Sequence, residues 1–126
     1  MEIKELELHA NRIRKNILTE VHSANSGHPG GSLSGADILT EIYFEQMDIN
    51  KDNVDSIDRD RFVLSKGHAS PLLYGTLKEK GLLDDDLTTF RKINSNLQGH
   101  PNMNEVAGVD MSTGSLGQGI SCAVGM

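Results

Sequence analysis

Three histidines share nearly the same local sequence, and imidazole is the side chain best suited to move protons near neutral pH. His28, His68 and His100 each follow a glycine, and a proline follows both His28 and His100. A preceding glycine lets the backbone bend or approach another segment closely, and a following proline keeps the histidine out of a helix. One such histidine would usually be a surface residue, but three in the same context favour a shared function on loops, where ligands bind.

A zinc site is the main alternative for these histidines, and their spacing does not favour it. His68 follows His28 by 40 residues and precedes His100 by 32, and the chain has no H-x-H, H-E-x-x-H or paired cysteines. The other two histidines, His9 and His22, lie between charged residues and are expected to face solvent. The sequence therefore predicts no metal ligands among residues 1–126.

A glycine-rich segment at 112–119 is the second feature that could do chemistry. Backbone N–H groups in such a turn, followed by a helix, can hold an anion such as a phosphate. The segment lacks the Gly-Lys-Ser/Thr of a P-loop, and Cys122 stands where the dinucleotide fingerprint needs its third glycine. A packing loop, in which small residues let two elements approach, explains the pattern equally well.

The elements that must position these residues can be read from hydrophobic periodicity and from helix-ending residues. A long amphipathic helix runs from about Ile3 and ends near Asn25. Further on, the pattern predicts helices at 34–47 and 69–80, a short helix after Asp84 or Asp85, a small-residue helix at 116–126, and a buried strand at 61–65. We therefore expect an α/β fold, with His68 just past the carboxyl end of that strand, where α/β proteins bind ligands.

Composition and charge exclude several classes of function. The chain has 18 acidic and 12 basic residues, and no basic cluster suggests contact with nucleic acid. No apolar run approaches the roughly 20 residues that a membrane helix needs. The single cysteine, Cys122, lies among small residues and is expected to be buried. With no signal pattern at the N-terminus, these features predict a cytoplasmic protein.

Four motifs in a fixed order resemble transketolase. They are NSGHPGG at 25–31, DRFVLSKGH at 60–68, GHP at 99–101 and TGSLGQG at 113–119. Together they span most of the chain, and the sequence around His68 is most similar to the split enzymes, whose N-terminal half is a separate polypeptide. The resemblance implies a doubly wound, parallel-sheet thiamine-diphosphate-binding domain, of which residues 1–126 would be an incomplete, helix-rich N-terminal part.

The resemblance also implies an activity and roles for particular residues. The enzymes of this family use thiamine diphosphate to move a two-carbon ketol unit from a ketose phosphate to an aldose phosphate, as in the pentose phosphate pathway. By matching motifs, His68 would contact the cofactor diphosphate and the donor substrate, and His28 and His100 would bind substrate oxygens. Gly114, Ser115 and Leu116 would line the cofactor.

The same resemblance indicates what the chain would need from elsewhere. The family's Mg²⁺ ligands and the glutamate that activates the cofactor are expected beyond Met126 or on a C-terminal subunit or domain, so this chain alone is expected to be inactive. We expect a homo- or hetero-oligomer when the enzyme is complete, with phosphorylated sugars as substrates. The alternatives are an inactive, truncated remnant or another thiamine-diphosphate enzyme, such as a deoxyxylulose-phosphate synthase.

Overall fold

Five α-helices provide most of the regular structure of the chain, which a computed structural model describes over all residues 1–126. A π-helical segment extends α3, and two short 3-10 turns complete the regular elements. The α-helices are α1 Ile3–Ala24, α2 Pro29–Leu33, α3 Ala36–Glu41, α4 Ser70–Lys80 and α5 Gly119–Gly125; the π-helical segment is Ile42–Gln46, and the 3-10 turns are Gly67–Ala69 and Leu87–Thr89. None of these helices is both long enough and apolar enough to span a bilayer.

Helix α1 confirms the amphipathic pattern and its predicted end. Ala10, Ile13 and Ile17 form its buried face at spacings of three and four residues. Asn25 ends the helix in the left-handed conformation, with φ of 49°, which asparagine tolerates better than most residues. Glu20 continues the buried face although it is acidic, and neither of its carboxylate oxygens has a hydrogen-bond partner.

The helix expected at 34–47 is present, but it is shorter and not uniform. Its α-helical part is α3, and the chain then widens into the π-helical segment, where the Met47 N–H donates to the Ile42 carbonyl. Leu39 and Tyr43 are buried, as their spacing predicts. Ile38 is exposed, so the apolar face is narrower than the sequence indicates.

Helix α4 occupies the centre of the molecule. All of its residues from Ser70 to Leu77 are buried, because α1 and α3 pack against it and the loops after it cover its remaining side. Gly81 ends the helix with φ of 82°, in the left-handed region that favours glycine, which confirms the predicted end. The apolar core therefore surrounds α4, and α4 is the fixed element from which the neighbouring loops are held.

The prediction of a strand at 61–65 is wrong. The segment does not form a strand, because no second strand lies beside it. It is irregular and half-buried, and two of its backbone groups bond to partners elsewhere in the chain. The Phe62 N–H donates to Asp110, and the Ser65 carbonyl accepts from the Gly117 N–H at 3.2 Å. The segment is thus held by a side chain and a turn, and residues 1–126 contain none of the parallel sheet of the expected α/β class.

Asp110 holds the segment 61–65 in place through hydrogen bonds. Its carboxylate accepts from both terminal nitrogens of Arg59, at 2.5 and 3.1 Å, and both side chains are almost completely buried. A two-pronged arginine–carboxylate pair of this kind has a defined geometry as well as a favourable energy. It anchors the chain that leads into residues 61–66 to the loop that leads into residues 112–119.

Further expectations for the C-terminal half are corrected. After Asp84 and Asp85 there is only a 3-10 turn, capped by Asp86, and it ends at Phe90, whose ψ of 126° is not helical. Ile93, which follows this turn, is exposed. Helix α5 begins at Gly119, not at 116, and Cys122 on it is exposed, not buried.

Candidate active site

The three glycine-preceded histidines lie together although they come from three separate segments. The rings of His28 and His68 have centroids 5.3 Å apart and meet edge to face, and the rings of His68 and His100 are 4.7 Å apart in the same arrangement. His68 therefore lies between the other two. His28 and His100 are exposed to solvent and His68 is half-buried, so the cluster is open to a ligand.

Local structure explains why each histidine is where it is. Gly27 has φ of 137°, a conformation that residues with a side chain rarely adopt. The chain turns there, and His28 lies at the N-cap position of α2. Pro29 is that first helical residue, where proline's missing N–H has no cost. His68 lies on the 3-10 turn that leads directly into α4, and its ring is therefore carried by the buried helix.

Close backbone contact joins the His68 turn to the glycine-rich segment. A Cβ atom added at Gly67 would lie 2.7 Å from the Gly114 nitrogen and from the Thr113 carbonyl carbon, which is closer than any side chain can be. A Cβ at Gly114 would lie 3.1 Å from Nδ1 of His100. Two glycines thus allow two backbones and one imidazole to share a space that larger residues would fill.

The end of the glycine-rich segment packs in the same way. A Cβ at Gly119 would lie 2.8 Å from the Cα atom of Ser65, and the Ser65 hydroxyl accepts from the Ile120 N–H. These contacts support the packing explanation of the glycines. Ser115 and Leu116 lie next to Gly114 in the exposed part of the same turn. This part of the turn therefore stays accessible to a ligand near the histidines.

Hydrogen bonds from α4 fix the loop that carries His100. The Ser70 hydroxyl donates to the Gly99 carbonyl and the Tyr74 hydroxyl donates to the Gln98 carbonyl, both at 2.8 Å. The slight burial of its ring, together with the nearby His68, Arg91 and His28, lowers the pKa of His100. The neutral imidazole is therefore favoured, which has one nitrogen that donates and one that accepts.

Sequence reasoning missed Lys66 as a structural link between two of the histidines. Its ammonium group donates to the Gly31 carbonyl at 2.7 Å and approaches the Ser34 hydroxyl at 3.4 Å. The lysine thereby joins the turn of His68 to the segment after His28. The sequence shows that Lys66 lies next to a motif glycine, but it does not indicate that Lys66 bonds to Gly31, 35 residues away.

The remaining candidates do not join the cluster. His22 lies on the exposed face of α1, as expected. His9 is not fully solvated: its ring stacks on Phe44 with centroids 4.0 Å apart, and its Nδ1 is 2.8 Å from Glu79. No group of three or more His, Cys, Asp or Glu side chains in the chain is arranged to hold a metal ion.

Comparison with known proteins places this arrangement in a family. The family described as the thiamine-diphosphate-binding domain of transketolase matches residues 6–126. The chain belongs to this family. The resemblance noted from the sequence is therefore confirmed.

Individual transketolases are similar over nearly the whole chain. It is 42% identical to an apulose-4-phosphate transketolase subunit of Phocaeicola vulgatus, over 100% of this chain and 45% of that protein. It is 46% identical to a 6-deoxy-6-sulfo-D-fructose transketolase subunit of a Clostridium species, over 97% of this chain and 45% of that protein. The chain thus spans less than half the length of these relatives.

Solved transketolase structures contain the same arrangement of backbone. The transketolase of Leishmania mexicana superposes with a TM-score of 0.88 at 41% identity, over 95% of this chain and 18% of that one. The enzyme of Campylobacter jejuni gives a TM-score of 0.88 at 42% identity, over 99% of this chain and 20% of that one. The helical fold described above is therefore that of the N-terminal part of a transketolase.

Proposed function

We propose that residues 1–126 are the N-terminal part of the diphosphate-binding domain of an enzyme that transfers a two-carbon ketol unit from a ketose phosphate to an aldose phosphate. The observation that carries the proposal is the meeting of His28, His68 and His100 in one open cluster. Family membership supports the cofactor, thiamine diphosphate. The cytoplasmic location expected from the sequence stays a prediction.

The backbone and hydroxyl groups near the cluster fit an anion such as a diphosphate. The contact of Gly67 with Gly114 leaves a surface of backbone and small residues, and the buried hydroxyl of Thr113 beside it has no hydrogen-bond partner. We propose that His68 contacts the diphosphate and that Gly114, Ser115 and Leu116 line the cofactor. When bound, the cofactor supplies the carbanion chemistry, because it can stabilise negative charge on the carbon that is transferred.

The histidines of this chain would then donate and accept the protons of the reaction. A ketose carbonyl must gain a proton and a hydroxyl must lose one during ketol transfer, and a positioned imidazole does either when its pKa lies near the working pH. We propose that His28 and His100 bind substrate oxygens in these roles and that His68 also contacts the donor substrate. The lowered pKa of His100 makes it more available as a proton acceptor.

The rest of the site would come from other segments. We propose a C-terminal transketolase subunit or domain as partner in a homo- or hetero-oligomer, in line with the relatives that are named as subunits. Mg²⁺ and its ligands are expected outside residues 1–126, as is the parallel sheet on which these helices would pack. The relatives' names contain different sugars, so a substrate panel should include apulose 4-phosphate, 6-deoxy-6-sulfo-D-fructose and common ketose phosphates.

Ketol transfer by the complete enzyme, with its partner, tests this proposal. We expect His28→Ala and His100→Ala each to lower kcat/KM for the donor by about 10²-fold, the usual loss when a positioned acid or base is removed. His68→Ala should in addition weaken thiamine-diphosphate binding, measured by titration. His22→Ala, on the exposed face of α1, is the matched control and should leave all values unchanged.

The outcomes separate the proposal from its alternatives. A complete enzyme that joins pyruvate to an aldose phosphate, and does not transfer ketol units, would favour the synthase alternative. A protein that binds thiamine diphosphate but is inactive on every substrate would favour the remnant. If His22→Ala lost as much activity as His100→Ala, the roles given to the cluster would be wrong.

A further inference from the structure

Arg91 has an unusual backbone for a residue outside any assigned motif. Its φ of 63° is left-handed, which is uncommon for residues other than glycine, asparagine and aspartate. Its N–H donates to the Leu97 carbonyl at 2.8 Å, which closes the loop that leads to His100. Strained backbone of this kind persists where the surroundings hold it, and it is concentrated at functional sites.

The guanidinium group of Arg91 reaches a segment far away in the sequence. Its Nη1 donates to the Ser26 hydroxyl at 2.6 Å, across 65 positions of the chain. Ser26 lies two residues before His28, at the turn that directs this histidine into the cluster. Arg91 therefore holds the segment before one histidine while its own backbone closes the loop before another.

Gly99 provides the space in which the guanidinium lies. A Cβ atom at this position would be 2.8 Å from both Nε and Nη2 of Arg91. The carbonyl of Gly99 is held from the other side by Ser70 of α4. The residue before His100 is thus placed between a buried helix and the arginine, and a methyl group there would push the arginine away.

The charge of Arg91 also acts on the cluster. Together with burial and His68, this cation lowers the pKa of His100. A lysine could supply the charge but not the planar group with five donors that can bond Ser26 while lying across a glycine. Both the geometry and the charge therefore link Arg91 to His100.

We propose that Arg91 is a positioning residue that joins the Ser26 turn to the Gly99 turn and so fixes the separation of His28 and His100. We call the contact of Arg91 with Ser26 and Gly99 the arginine clasp. Its catalytic consequence rests on the proposed ketol transfer, whereas its effect on the titration of His100 does not. No contact of Arg91 with substrate is required.

Four variants of the complete enzyme with its partner test the clasp: Arg91→Met, Gly99→Ala, the double variant, and Lys92→Met as the control that removes the adjacent positive charge. We expect Arg91→Met to lower kcat/KM by about tenfold or more, since misplacing a catalytic group by an ångström can cost 10²-fold. Gly99→Ala should cause a similar loss, because its methyl group displaces the guanidinium. The double variant should be no worse than the poorer single variant.

A second measurement does not depend on activity. Histidine-ring NMR titrations of the same variants should show a higher pKa for His100 in Arg91→Met and an unchanged one in Lys92→Met. The clasp is overturned if Arg91→Met behaves like Lys92→Met in the titration, or if the losses of Arg91→Met and Gly99→Ala add in full. A raised His100 pKa in a protein without any ketol transfer would keep the clasp and reject the proposed function.

Discussion

Replacing Glu20 with glutamine is expected to stabilise the protein, and the gain should increase with pH. The Glu20 side chain is fully buried between α1 and α4, and both of its carboxylate oxygens lack partners. Its Oε2 is 3.6 Å from where a Cβ of Gly75 would lie, so the carboxylate faces α4. Burial raises the pKa of this carboxyl from 4.5 to about 10.

The size of the effect follows from the difference in pKa between the folded and unfolded states. The unfolded chain releases the Glu20 proton above about pH 4.5, while the folded chain keeps it until about pH 10. Folding is therefore most favourable below pH 4.5 and is progressively weakened as the pH rises from 4.5 to 10. Each pH unit in this window costs about 1.4 kcal/mol, which amounts to about 3 kcal/mol at pH 7.

Urea unfolding of the parent protein and of Glu20→Gln, measured at each pH from 5 to 8, is the appropriate assay. Glutamine has nearly the same shape and cannot ionise, so the two proteins should be similar at pH 5. By pH 8 the variant should be more stable by about 4–5 kcal/mol. Glu7→Gln, on the exposed face of α1, is the control and should change stability by less than about 0.5 kcal/mol. A difference between Glu20→Gln and the parent that does not vary with pH would refute the reasoning.

Three further substitutions test the contacts that hold the site. Asp110→Ala should destabilise the protein by about 3–5 kcal/mol in urea unfolding, because it leaves the Arg59 guanidinium buried without its partner. Gly67→Ala should weaken thiamine-diphosphate binding by the complete enzyme, measured by titration, because its methyl group would strike backbone; Gly30→Ala, which has open space around it, should not. Lys66→Met should speed amide hydrogen exchange in the segment after His28 while leaving exchange in α4 unchanged.

Local signals in the sequence predicted those features that depend on neighbouring residues only. The periodicity of α1 and the left-handed cap at Asn25 are properties of a short stretch, and so is the cap at Gly81. The expectation of a strand at 61–65 failed because a strand needs a second strand beside it, and no sequence pattern reports on that. The apolar run was expected to be buried and is only partly so, and two of its backbone groups bond to Asp110 and Gly117 instead of to a second strand.

In the candidate site, too, local features could be predicted from the sequence and long-range contacts could not. The glycines before the three histidines indicated bends and close approaches, and Gly27 and Gly67 have these properties in the structure. Nothing in the spacing pointed to Arg91, since its partner Ser26 is 65 positions away and belongs to no periodic pattern. Side chains that hold loops together over such distances become visible only when the fold is known.

Helix α4 gives the cluster its rigidity, although only His68 is attached to it directly. The loop of His100 is bound to α4 through the hydroxyls of Ser70 and Tyr74, two residues that are completely buried. No hydrogen bond joins the segment of His28 to α4, and the side-chain hydrogen bonds that reach this segment from elsewhere come from Lys66 and Arg91, which are half-exposed and exposed. Of the three histidines, His28 should therefore be the one whose position varies most, and the one that a bound substrate orders most.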